Sequence, residues 1–414
     1  MVENQFLERL NILFQHVLSR IPEVGIGDDA YNFPEDNTLP FGGKQVIFLG
    51  DFHQLPPVKP FANCLHCGES IPQREAPICV SAACKGATGK VAFKWNDKWA
   101  FKAPVWQQLG LRHIKLEQIH RQKDTRFQDI LNKIRNGQTL TPAEWHDLER
   151  PKDLPRNAFA IHLMSLISSV RAYNASKLSS LKTPPKSWHA NDTCTKLVKN
   201  PYFTDQYKIQ EYKDSLRDHR FPADLTLKVG ARVVLLYNLD HKRGLVNGSQ
   251  GTVIGFGFAT AELERSLELT VDHKEPRRVS MLAFQDQNTQ PAWRPIVQFA
   301  NGEKELIGAI ASASLRGGSK VEEQYIVVRT QLPLMLAWAL SIHKSQGMTL
   351  EYVEVNSRNI FETGQLYVAL SRATHLNGLQ VTGFNRNQMP MDKDVLEFYT
   401  STKWEKLEAR GKKG

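Results

Sequence analysis

QVIFLGDFHQLPPV, Gln45 to Val58, is the stretch on which the fold turns. Its first half, QVIFLG, is a short apolar run of the length and composition of a buried parallel strand. Its second half breaks into polar residues and prolines, at the point where such a strand delivers the chain to the ligand-binding edge of a sheet. Asp51 and Gln54 therefore stand where open α/β sheets expose functional groups. A carboxylate and an amide in that place can orient a metal-bound phosphate or an attacking water. The plainer alternative is a β-turn punctuated by prolines, and this stretch alone does not decide between the two.

Working outward, Val2, Phe6, Leu10, Leu13, Phe14, Val17, Leu18 and Ile21 recur at intervals of three and four, the period of a helix with one buried face, which Pro22 ends. Residues 22 to 43, rich in Gly, Asp and Pro, read as a surface loop. Downstream, LRHIKL (Leu111 to Leu116) reads as a second strand. A helix then starts at Asp124 as N-cap, with Phe127, Ile130, Leu131 and Ile134 on one face and Gly137 as its stop. TPAE (Thr141 to Glu144) is a capping box with proline at the first helical position, so another helix begins there. AFAIHLMSL (Ala158 to Leu166) reads as a buried strand followed by a helix to Leu181, whereas Lys182 to Arg220 is polar and resists assignment.

From Leu227 the pattern becomes one of short strands: LKVGARVVLLYNL, the turn GLVNGSQG, TVIGFGF, and alternating runs around Leu267 to Val271 and Pro295 to Phe299. This predicts a small β-barrel. YIVVRT, LAWALSIHKSQ, YVEV, ETGQLYVALSRA and GLQVTGF then return to strand and helix alternation. The expectation is an α/β fold interrupted by an all-β insert.

A chain of 414 residues with 41% hydrophobic and 23% charged residues is long enough for two or three domains and has the composition of an ordinary globular protein. No apolar run is long enough to span a bilayer, and MVENQFLERLNILF lacks the basic flank and apolar stretch of a secretory signal. A formal charge of +10 favours a polyanionic partner, because Lys and Arg gain affinity by releasing counterions from phosphates.

Two further segments carry chemistry. AWALSIHKSQGMTL (Ala337 to Leu350) reads as an apolar helix joined to a polar turn with His343, Lys344, Ser345, Gln346, Gly347 and Thr349. Small polar groups and a glycine there let backbone approach a phosphate chain, although a helix with a solvated last turn would look the same. GQLYVALSRA (Gly364 to Ala373) reads as an amphipathic helix ending near Arg372, and a surface arginine is unremarkable by default.

Taken in order, these segments resemble the superfamily 1B DNA helicases, most closely the petite-integration-frequency family, relatives of the RecD helicases. GDFHQLPPV resembles helicase motif III, LEQIHRQ (Leu116 to Gln122) motif IV, SIHKSQGMTL motif V and GQLYVALSRA motif VI. The strand segments LKVGARVVLLYNL and GLVNGSQGTV also look like the family, and the resemblance covers most of the chain outside the cysteine-rich segment and Lys182 to Arg220. It implies a RecA-like helicase core with a small β-barrel insert, arranged as 1–117 with a cysteine-rich insertion over 59–100, then 118–226 with 322–400, the barrel over 227–321, and a basic tail over 401–414. It implies ATP with Mg2+ as cofactor, single-stranded DNA and DNA junctions as partners, a monomer, and 5′ to 3′ unwinding in repair, recombination or telomere maintenance, in nucleus or mitochondrion. By position, Gln54 would sense the terminal phosphate, with Arg121 and Arg372 reaching it from the second domain. Asp51, Gln346 and Gly347 would line the nucleotide, and His343, Lys344, Ser345 and Thr349 would hold the DNA backbone. An arginine so placed contributes about 10³ to 10⁵ in rate. Two positions depart from the family pattern. Leu166 and Ile167 replace a usual Thr-Asn pair, and Ser341 stands where Thr is usual.

The G-x-x-x-x-G-K-[ST] string of a phosphate-binding loop does not occur in these 414 residues. GATGKV (Gly86 to Val91) only approximates it, since Val91 replaces the magnesium-binding hydroxyl. The acidic pair of motif II would lie, by family position, just before MVENQFLERL. The expectation is therefore an N-terminally truncated copy with little or no ATPase activity of its own; the alternative is a non-catalytic DNA-binding protein derived from a helicase. Finally, Cys64, Cys67, Cys79 and Cys84 form two close pairs of the kind that gather a structural Zn2+, with His66 as a possible substitute ligand. Four reduced thiols in a loop are the alternative, and Cys194 is left over.

Overall fold

A computed structural model of the chain describes residues 4–18, 39–57, 98–152, 160–198, 206–259, 274–287, 293–317, 324–383 and 391–405. The chain divides into two compact units, Met1–Lys152 with Ile360–Gly414, and Asp153–Asn359. The cysteines at 64, 67, 79 and 84, the string Gly86 to Val91 and the run Leu267 to Val271 lie outside the described residues.

In the first unit, helix Asn4–Leu18 sets Leu7 against Phe41, Ala100, Ala103 and Val105, and Val46, Phe48, Phe52 and Trp106 pack on the same core. QVIFLG is not the buried strand expected. It forms no strand among the described residues, and while Val46 and Phe48 are half-buried, Ile47 and Leu49 are 76% and 91% exposed. An unbroken apolar run does not reveal which of its two faces finds a partner. LRHIKL shrinks to His113–Ile114, paired in parallel with Trp404–Glu405.

The capped helices form as read. Asp124 accepts from the N–H groups of Arg126 and Phe127 at the head of helix Thr125–Arg135, and Phe127, Ile130, Leu131 and Ile134 are all buried. At the head of Pro142–Glu149, Thr141 and Glu144 complete a reciprocal capping box. Lys133 donates to the Glu144 carboxylate at 2.8 Å, and hydrogen bonds from Lys133 and Thr141 hold its pKa down to about 2. The unit is completed by helix Gln365–Leu370, strand Leu379–Thr382 and helix Lys393–Ser401.

In the second unit, strands Ala339–Ser341 and Val353–Asn356 flank Ile161–Met164, all running parallel. Helix Ile167–Ser180 packs on this sheet, where buried Asn174 closes two hydrogen bonds with the backbone of Ala339, at 2.9 and 2.8 Å. The apolar helix expected around Ala337 is instead strand Ala339–Ser341 followed by the one-turn helix Ile342–Ser345, capped by Ser341. A short apolar run suits a buried strand and a buried helix equally, and here a strand partner decides.

Among the described residues, the remaining strands form three antiparallel sheets. One orders 334–336, 232–235, 250–258, 293–299 and 304–306; a second orders 310–317, 324–331 and 191–196; the third pairs 186–189 with 224–227. Helix Lys274–Gln287 lies within the span read as a barrel, and among the described residues the ladders do not join into one closed ring. Nor is its core self-contained: Val233, Val253, Phe284 and Val297 pack with Trp188, Leu225, Val328, Leu334 and Trp338 from either side of the expected insert. The Lys182 to Arg220 stretch thus supplies two of the strands. Cys194 lies on one of them, opposite Val327, half-buried, its thiol pushed up by burial.

Candidate functional site

The first unit gathers Asp51, Gln54, Arg121 and Arg372. Asp51 is a hub: Oδ1 accepts from Arg135 Nη2 at 2.8 Å, from the His53 N–H at 3.1 Å and from the Tyr399 hydroxyl at 3.3 Å, and Oδ2 accepts from Gln54 Nε2 at 3.4 Å. Burial pushes the Asp51 carboxyl up most strongly, but the Arg135 guanidinium and His53 together outweigh it and hold the group below its ordinary value. His53 beside it is 5% exposed, and burial, then Arg135, bring its imidazole down to about 4.

Against this loop lies the start of helix Gln365–Leu370. Gly364 adopts φ +73°, and a Cβ there would sit 2.5 Å from the His53 carbonyl oxygen and 2.8 Å from that of Gln54. Only glycine lets the two backbones approach so closely. The helix leads to Arg372, which is 2% exposed, the reverse of the exposed arginine its position at a helix end suggested. Arg372 Nε donates to Val368 O and Nη2 to Ser371 Oγ, both at 2.8 Å. Arg121 Nη1 donates to Ser371 O at 3.2 Å, and Gln122 Nε2 to Ser371 O and Ala373 O at 3.0 and 2.7 Å. LEQIHRQ is thereby tied to the end of GQLYVALSRA. Burial, and then the neighbouring Arg121, bring the Arg372 pKa down to about 10, and burial also lowers that of Arg121. Buried and unpartnered, His53 Nδ1, Thr363 Oγ1 and Gln365 Nε2 adjoin the Gly364 contact in sequence.

The second unit holds the other candidates. Lys344, Gln346, Gly347 and Thr349 are exposed, His343 is half-buried, and Gly347 takes φ +84° with open space where a side chain would go. Ser345 is turned inward instead, fully buried, with its hydroxyl donating to Ile342 O at 2.8 Å, so it does not stand on the surface expected to meet DNA. Leu166 and Ile167 are 42% and 58% exposed, and Leu166 leaves helix Ile167–Ser180 without a side-chain cap. Among the described residues, no group of three or more His, Cys, Asp or Glu could hold a metal ion. Sequence reading missed Arg135 and Tyr399, the two groups that engage Asp51 from distant segments.

A family model described as DNA helicase Pif1, 2B domain, matches residues 211–256. The chain is 31% identical over 378 residues to the ATP-dependent DNA helicase PIF1 of Danio rerio, covering 90% of this chain and 46% of the relative. It is 28% identical over 457 residues to the enzyme of that name from Candida albicans, covering 98% of this chain and 46% of the relative. The chain therefore spans about half the length of the curated relatives it matches. The crystal structure of the Candida albicans Pif1 helicase superposes with a TM-score of 0.66 at 28% identity, over 97% of this chain and 74% of that one. The fold is accordingly that of a RecA-like helicase core.

Proposed function

We propose, from the premise that this chain belongs to the PIF1 family of superfamily 1B helicases, that the protein is an ATP-dependent DNA helicase in which this stretch serves the terminal phosphate of ATP. The observation that carries the reading is the buried Arg372 beside Arg121. Taking a cation out of water is costly, and a second cation nearby adds to the cost, so an arriving anion is what such a pair favours. The planar, permanently charged guanidinium suits phosphoryl oxygens, and its hydrogen bonds to Val368 and Ser371 hold it in place before charge develops. Gln54, on the loop that Gly364 abuts, would orient the attacking water.

When bound, ATP supplies the transferable phosphoryl group and Mg2+ offsets its charge. Arg121, Arg372 and Gln54 fit the phosphate end. Asp51 does not fit a magnesium ligand, since its carboxylate is taken up by Arg135, Tyr399 and the loop's own backbone. In the other unit, exposed Lys344 and Thr349, with His343 and the open backbone at Gly347, suit the sugar-phosphate chain of single-stranded DNA. In this reading the motor tracks 5′ to 3′ as a monomer on strands and junctions, in genome maintenance in nucleus or mitochondrion.

The test is DNA-stimulated ATP hydrolysis by the full-length protein. Arg372→Ala is expected to lower kcat by about 10³ or more while single-strand binding persists. Unchanged hydrolysis in that variant would sink the reading. Strand binding without any ATP hydrolysis would favour a protein that only holds DNA.

A further inference from the structure

We propose that Arg135 and Tyr399 are positioning residues for Gln54, fixing the direction of its side-chain amide through the shared carboxylate of Asp51. The inference deepens the functional reading above and rests on it for its catalytic consequence.

A carboxylate offers about four acceptor sites. Three donors converge on Asp51 Oδ1: the Arg135 guanidinium, the Tyr399 hydroxyl and the His53 N–H. The other oxygen faces Gln54 Nε2. An amide whose nitrogen is turned to a carboxylate turns its carbonyl oxygen away from it, and an acceptor oxygen is what must meet the proton of an attacking water. Reversing the amide would set two acceptors against each other. The carboxylate's direction therefore sets the amide's, and Arg135 and Tyr399 set the carboxylate's.

Both positioning groups sit on helices, Thr125–Arg135 and Lys393–Ser401. Tyr399 is held from several sides. Its ring stacks on His53 with centroids 4.2 Å apart and planes 23° from parallel, and on Trp404 at 5.2 Å and 13°. The Arg135 guanidinium lies 5.4 Å from the ring centroid. The Tyr399 hydroxyl accepts from the Phe52 N–H at 3.3 Å, which leaves its single proton for Asp51. Helix Lys393–Ser401 is itself anchored, because its cap Asp392 accepts from Trp99 Nε1 at 2.9 Å while Phe398 stacks on Phe101 at 4.4 Å. A segment near the end of the chain thus fixes a loop that begins at residue 51, and rigid supports of this kind separate a precise functional group from a loose one.

The experiment follows the side-chain amide resonance of Gln54 in the chain labelled at glutamine, assigned by its disappearance in Gln54→Ala. Tyr399→Phe keeps the ring stacking and removes the hydroxyl; Arg135→Lys keeps the charge and removes the fork. Both are expected to shift the Gln54 amide signal while the melting temperature stays close to the parent's. Should the signal stand unmoved in both variants, the proposal is overturned. In the full-length protein, Tyr399→Phe is expected to lower kcat for ATP about tenfold with KM unchanged, and to have no further effect in a Gln54→Ala background. If Gln54→Ala alone leaves kcat untouched, the water-orienting reading of Gln54 fails and the catalytic consequence with it, whereas the resonance shift reports the positioning separately.

Discussion

His53 concentrates the chemistry of its loop into one titratable group. Its imidazole goes down to about 4, from burial and then Arg135, against an unperturbed value of 6.5. The folded chain thus binds fewer protons here than the unfolded chain between those limits, so the contribution is fully present above pH 6.5 and is lost as pH falls toward 4. Asp51, lowered as well, adds its loss below the ordinary carboxylate value. The melting temperature should therefore fall across pH 6.5 to 4, and His53→Phe should flatten part of that fall; a parallel profile for the variant would count against it. His219 in the other unit is also lowered to about 4, so some slope remains in any His53 variant. At this scale the sequence displays the residues that recur in ordered motifs, Asp51, Gln54, Arg121 and Arg372. It hides those that act from afar. Arg135 and Tyr399 stand 84 and 348 positions from Asp51, a separation no local pattern encodes.

Helix starts were the most legible elements, because a cap is a local contract between neighbours: Asp124 and the Thr141 to Glu144 box form as their spacing predicts. Apolar runs were the least legible. QVIFLG lacks cover on one face and Ala339–Ser341 is strand rather than helix, since both outcomes depend on what packs alongside. The start of helix Gln365–Leu370 is a different case, for Gly364 serves a tertiary contact as well as a turn. Gly364→Ala would combine a left-handed backbone with a Cβ driven into two backbone carbonyls that cannot rotate away. The expected cost is more than about 1 kcal/mol in denaturant unfolding, with Arg372 displaced and ATP turnover lowered in the full-length protein. An unchanged unfolding midpoint would refute the contact.

For the whole molecule, a formal charge of +10 makes salt the natural probe of the proposed DNA contacts. Affinity for a labelled single strand should fall linearly on a log-log plot against salt, with about 0.7 of slope per phosphate contacted. Lys344→Ala should remove about one such increment, and an identical slope in the variant would take Lys344 off the strand. The mixed α/β order of the chain was visible in the sequence, but the assembly of one core from strands before and after the supposed insert was not. Segments such as Lys186–His189 carry too few apolar residues to announce that they complete a core, and Trp188 alone delivers the packing. That interleaving also sets a slow chemical clock. Only the thiolate form of a cysteine attacks an alkylating reagent, and burial raises the Cys194 thiol while its strand is paired with Val327, so iodoacetamide should consume it more slowly there than after those two strands part.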